Sequence, residues 1–82
     1  GASQNMTLTP NPASSHVNIA LDGLESGVLE FRNLVGQIFM TVPIQPGENS
    51  KFIPLDDLPN GIWLVSHRID HSTVITKRLV KH

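Results

Sequence analysis

The sequence contains no cysteine, which excludes a disulfide framework and a thiolate zinc site. Many small secreted domains lean on disulfides. A chain of 82 residues without them must hold together by packing alone. Charge is also scarce. Charged residues make up 16% of the chain and the formal net charge is −1. That leaves no electrostatic footprint for a polyanion, so neither nucleic acid nor an anionic membrane surface is an expected partner. No apolar run approaches the roughly 20 residues needed to cross a bilayer as a helix. The first residues lack the basic stretch followed by an apolar one that marks a signal peptide. Aromatic residues are only 5%, and most are expected to face inward, which leaves few platforms on which a sugar could stack.

Helical patterning is nearly absent too. No window keeps an apolar stripe at i, i+3, i+4 and i+7, whereas six glycines and six prolines punctuate the whole length. Short strands between turn signals fit better. Gly1-Ala2-Ser3 reads as an expression scar, with residues 1–5 a scar and linker and 6–82 one domain. Met6 to Thr9 reads as a first edge strand, and Pro10-Asn11-Pro12 as a stiff corner. His16 to Leu21 alternates, with Val17, Ile19 and Leu21 on one side and Asn18 and Ala20 on the other. Asp22-Gly23 marks a turn. A strand restarts at Ser26-Gly27, with Leu29 and Phe31 inward and Glu30 and Arg32 outward.

Asn33-Leu34-Val35-Gly36 reads as a hairpin connection. Gln37 to Ile44 follows as a strand with Ile38, Met40, Val42 and Ile44 on one parity, and Pro43 places its end at a sheet edge. Pro46-Gly47 is a turn. Lys51 to Leu55 is a short strand with Ile53 and Leu55 inward, and Pro54 again implies an edge. In Leu58-Pro59-Asn60-Gly61 the proline suits the first corner of a turn and the glycine a positive φ. Ile62 to Asp70 is the long strand, His71-Ser72 a turn, and Thr73 to Val80 the last strand. In the long strand Trp63, Val65, His67 and Ile69 share a parity, yet Ile62 and Leu64 are equally apolar, so the register of the last two strands stays open. Six or seven strands at intervals of about 10–12 residues predict an Ig-like antiparallel β-sandwich.

Patterns that carry chemistry are missing. His67 and His71, four apart, would stand roughly 13 Å apart on a strand, too far for one metal ion. His16 and His82 are expected in solvent. Asp56, Asp57 and Asp70 match no calcium-loop spacing, and Asp56-Asp57 suits a turn. Ser14-Ser15-His16 are neighbours in sequence, and a catalytic triad needs convergence in space with an orienting acid. No phosphate loop is present. Neither an enzyme nor a cofactor is expected.

Three landmarks remain: Pro10-Asn11-Pro12-Ala13, then Phe31 to Ile38 around Gly36, then Leu58-Pro59-Asn60-Gly61-Ile62-Trp63-Leu64-Val65 with Thr76-Lys77-Arg78-Leu79-Val80-Lys81 after it. In order and spacing, over residues 6–82, they resemble the C-terminal sorting domains of cargo exported by the type IX secretion system of Bacteroidetes. The resemblance implies a signal and not a catalyst. Such domains follow an N-terminal cargo protein, direct it from the periplasm across the outer membrane to the cell surface or medium, and are then removed by a surface sortase. The secretion machinery and that sortase are the implied partners. The chain departs from the family pattern at Trp63, where tyrosine is usual, at Gln37, where arginine is frequent, and in its final His82.

On that resemblance the candidate motif and recognition residues are Pro10, Asn11, Pro12, Gly36, Leu58, Pro59, Gly61, Trp63, Lys77, Arg78 and Lys81. The prolines and glycines act first on backbone shape. Lys77, Arg78 and Lys81 admit two roles, a charged edge that discourages strand pairing or a contact strip for the machinery. An exposed edge would also permit strand addition by a partner, or weak self-association. The competing function is an Ig-like module that binds carbohydrate or protein beside a secreted enzyme or adhesin, and an exposed Trp63 would favour it. A third role is simple stabilisation of a neighbouring domain.

Overall fold

The structure, a computed structural model, describes residues 5–22 and 26–82. The expected turn at Asp22-Gly23 and the expected scar at Gly1-Ala2-Ser3 extend outside the described residues. Seven strands follow in chain order: β1 (Asn5–Thr9), β2 (His16–Asp22), β3 (Gly27–Arg32), β4 (Ile38–Ile44), β5 (Ser50–Pro54), β6 (Gly61–Ile69) and β7 (Ser72–Lys81). They form two antiparallel sheets, ordered β1-β2-β5 and β4-β3-β6-β7. The first, second and fifth strands oppose the third, sixth and seventh, as in Ig-type Greek-key sandwiches. The fourth strand lies here beside the third.

Alternation builds the core. Val17, Ile19 and Leu21 on β2 are buried, as are Leu29 and Phe31 on β3, Ile53 on β5, and Trp63 and Val65 on β6. Met6 and Leu8 fill the β1 side, and Leu79 the β7 side. Because side chains alternate across a strand, these residues fix which face of each strand looks in. The parity left open in β6 is thereby resolved. Trp63, Val65 and His67 point inward and are buried, while Ile62 stands exposed on the outer face.

Both strand prolines lie where the sequence places them. Pro43 is on β4 and Pro54 on β5, and each strand is the edge of its sheet. A residue without an N–H is tolerated there because one side of the strand has no ladder to complete.

Four expectations are corrected. Ile38 does not share the inward face of Met40, Val42 and Ile44. A bulge between Phe31 and Arg32 pairs Phe31 with Met40 but Arg32 with Ile38, which turns Ile38 outward. The β6–β7 turn is Asp70-His71 and not His71-Ser72, since Ile69 pairs with Ser72. Asp70 takes φ +56 there, a left-handed conformation that aspartate accepts more readily than most residues. Lastly, the aromatics divide evenly. Phe31 and Trp63 are buried, but Phe39 and Phe52 are exposed. Phe52 stacks on His16 with ring centroids 4.9 Å apart, so His16 is half-buried and not free in solvent.

Gly27 opens β3 where the chain crosses closely over β6. A Cβ at this position would run into the Arg68 carbonyl oxygen and lie 3.2 Å from the His67 ring, and φ is +147. Backbone cannot retreat as a flexible side chain would. Gly27→Ala is therefore expected to cost about 2 kcal/mol or more, read as a lowered urea midpoint at unchanged slope.

Candidate recognition surface

The strand directions assemble the motif residues at one end of the sandwich. Gly61 pairs with Lys81, and Arg32 with both Leu64 and Ile38, so the start of β6, the end of β7 and the β3–β4 hairpin share that end. His16 pairs with Pro54, which brings the β1–β2 connection and the β5–β6 loop to it as well. We call this the motif pole. The opposite pole carries Asn5, which pairs with Asp22, together with the β4–β5 and β6–β7 turns.

Asn11 is the joint of the motif pole. Its side-chain Nδ2 donates to the Arg78 carbonyl at 2.8 Å, and its Oδ1 accepts from the Val80 N–H at 3.0 Å. One amide side chain thus offers β7 the donor and acceptor that a neighbouring strand would offer. Two residues on, Ala13 extends this by a parallel bridge to Lys81. The Ala13 N–H donates to the Val80 carbonyl at 2.7 Å, and the His82 N–H donates to the Ala13 carbonyl at 2.9 Å. Pro10 and Pro12 flank Asn11, and both Thr9–Pro10 and Asn11–Pro12 bonds are cis. Neither proline can donate a backbone hydrogen bond, which leaves the asparagine side chain to complete the edge.

The third landmark ties in from the other side. The Leu58 N–H donates to the Leu55 carbonyl at 3.0 Å, closing a turn over Asp56-Asp57 just before Pro59. The Leu58 side chain is buried, and its carbonyl accepts from Lys81 Nζ at 2.6 Å. Trp63 is 4% exposed and donates its Nε1–H to the Pro59 carbonyl at 2.9 Å. The indole therefore satisfies its one polar group inside the fold. Burial also removes Trp63 as a sugar-stacking platform. Phe39, the extra residue at the β4 bulge, packs edge-on against it with centroids 4.7 Å apart. A small open pocket of about 100 Å³ lies beside this pair, lined by Phe39, Met40, Pro54, Asp56, Asp57 and Leu58. That is well below the roughly 300 Å³ at which ligand sites begin.

Gly36 sits at the same pole, in the β3–β4 hairpin, with φ +92 and open space where a Cβ would point. Conformation and not room is what calls for glycine here. Asn33 organises the hairpin. Its Oδ1 accepts from the Val35 and Gln37 N–H groups at 3.1 and 2.9 Å, and its Nδ2 donates to Gln37 Oε1 at 2.8 Å. Gln37 thus has a local role within the hairpin. Arg32 fastens the hairpin to the sheet, donating to the Gly36 carbonyl at 2.9 Å.

The three basic candidates on β7 do not form one strip. Lys77 shares its parity with Leu79 and Lys81, whereas Arg78 lies on the outer face opposite Leu64. Lys81 is half-buried and engaged with Leu58, while Lys77 and Arg78 are exposed. β7 is an edge strand, as both readings of these residues require, but Asn11 and Ala13 already occupy its end. Ala13, Arg32 and Asn33 lie within the landmarks but not among the candidate residues, and Phe39 lies outside both. Asn33 carried a signal, an asparagine opening a turn. Phe39 carried none.

Among the described residues, no group of three or more His, Cys, Asp or Glu side chains is placed to hold a metal ion. His67 is buried within β6 and His71 is exposed in the turn.

Removing the Asn11 amide should loosen one edge only. Asn11→Ala is expected to cost about 1–3 kcal/mol. It should accelerate hydrogen exchange at the Val80 amide while leaving Phe31 and Val65 protected. Asn11→Asp should recover only part of this, since a carboxylate can accept from Val80 but cannot donate to Arg78.

Comparison with known proteins returns one family. A model described as "secretion system C-terminal sorting domain" matches residues 7–82. No curated protein and no solved structure matches the chain.

Proposed function

The chain belongs to the secretion system C-terminal sorting domains, and from that premise we propose that it carries its cargo from the periplasm across the outer membrane and is then cut away by a surface sortase. As a type IX sorting tail it works with the type IX machinery, follows an N-terminal cargo, and serves export to the cell surface or extracellular space. The domain is proposed to act as a folded address with no reaction of its own.

The observation that carries this reading is the convergence at the motif pole. Landmarks separated by up to 69 residues in sequence meet there, with Asn11 bonded to Val80. Lys81 is bonded to Leu58 in the same region. A signal assembled from both ends of the chain exists only when the domain is folded, so the machinery would read the fold and not a linear tag. Unfolded or truncated domains would then fail to identify their cargo as complete.

The test is an export assay. A reporter with a periplasmic signal peptide fused ahead of residues 4–82 should appear at the surface or in the medium of a type IX-competent host, and should stay in the periplasm of a host lacking the machinery. Periplasmic retention in the competent host, with the fusion intact and folded, would refute the proposal. Sortase action is read separately, as loss of the domain from the exported reporter and its retention when the sortase is deleted.

A further inference from the structure

The outer face of the four-stranded sheet changes character towards the motif pole. Register sets Thr41, Glu30, Ser66 and Thr76 in one row across it. That row is polar, and three of its four side chains are paired. Glu30 Oε1 lies 2.9 Å from Arg32 Nη2 and 3.5 Å from Arg68 Nε, and the Ser66 and Thr76 hydroxyls are 2.9 Å apart. The row nearer the pole is Ile38, Arg32, Leu64 and Arg78, and beyond it Ile62 pairs with Val80. The hairpin tip, which Arg32 holds by its Gly36 carbonyl, adds Leu34 and Val35. Val35 is 81% exposed, and Leu34, Ile38 and Ile62 are also exposed. Arg78 stands among them, exposed and, among the described residues, in no ion pair.

We infer that Leu34, Val35, Ile38, Ile62 and Arg78 form the surface by which the sorting domain docks on a folded protein of the export machinery, one that presents an apolar depression with a carboxylate at its rim. The inference rests on the proposed sorting function and names the face it uses. Charge decides the partner's chemistry. Arg32 and Arg68 share the single Glu30 carboxylate, so the sheet face keeps a net positive charge, and Arg78 is its one arginine with no acid partner among the described residues. An apolar surround strengthens a pair with an incoming acid by excluding water. Size argues against a second copy of the chain. Stable interfaces engage about 20–30 residues a side, far more than this patch offers, and two copies face to face would bring Arg78 towards Arg78. A small patch suits a contact that a transported protein must make and then leave. Position fits as well. Cargo precedes Asn5, which lies at the opposite pole, so a folded cargo does not shadow the patch.

The experiment uses the full-length export fusion with a photo-crosslinking residue at Val35, or at Phe52 on the outer face of the other sheet. Val35 should crosslink to an identified machinery component and lose that product when the component is deleted, and Phe52 should not. In parallel, the double variant Val35→Asp, Ile62→Lys should lower exported reporter by roughly tenfold, the scale of losing one central contact, with an unchanged thermal midpoint. Arg78→Glu should do likewise and Arg78→Lys should retain most export. Exposed positions are chosen so that folding survives. A variant with a lowered midpoint is replaced by Val35→Asp alone. If the parent fusion is exported but these folded variants are exported equally well, the patch is wrong and the sorting function stands. If Val35 crosslinks only to a second copy of the domain, the surface is a self-association site and the inference is overturned. If the parent itself is not exported, the sorting reading fails first.

Discussion

Two hydrogen bonds from one side chain finish the sandwich. Without the Asn11 amide, the outer edge of β7 would present the Arg78 carbonyl and the Val80 N–H to solvent, and the first corner of the chain would be held to β7 by the Ala13 backbone alone. With it, the β1–β2 connection is laid along the last strand, and Ala13 can complete the parallel bridge to Lys81. An exposed strand edge is a template for unwanted pairing. A side-chain amide closes it without adding a strand. The two prolines beside Asn11 belong to the same device, because neither can contribute a competing donor.

Two of the other three edges are handled differently. Pro43 interrupts β4 and Pro54 ends β5. Three of the four edge strands are thus guarded, two by a missing donor and the third by satisfying a donor and an acceptor. Its exposed large apolar side chains gather mostly towards one pole. The Arg32–Glu30–Arg68 arrangement keeps the middle of the outer face charged but self-satisfied. Exposed ion pairs contribute little to stability, so their value here is in keeping most of that face polar while the pole stays available.

Local regularities in the sequence predicted local structure well. Val17, Ile19 and Leu21 announced β2 through simple alternation, and Pro43 and Pro54 announced edge strands through missing N–H groups. The landmarks around Gly36 and Gly61 were legible as turns because few other residues tolerate those φ values. What failed had a common cause. A bulge adds one residue to one strand and inverts every parity argument beyond it. Ile38 was misplaced for that reason, and the bulge between His67 and Arg68 is equally silent in the sequence. The Asp70-His71 turn was read one residue late because aspartate can adopt the conformation usually credited to glycine or asparagine. The motif pole itself was not legible as an assembly. Its bonds join Asn11 to Val80 and Leu58 to Lys81, and nothing in the spacing of residues along a chain encodes which ends will meet across two sheets.

The chain carries a single tryptophan, and it lies at this pole, hydrogen-bonded to Pro59 and edge-on to Phe39. Its emission is consequently a local gauge and not a global one. Events at the opposite pole can pass without changing its immediate surroundings. Loosening of the β5–β6 loop or movement of Phe39 would register directly. The protein is thus supplied with an intrinsic optical probe seated at the motif pole, and no label is needed to watch that end of the molecule.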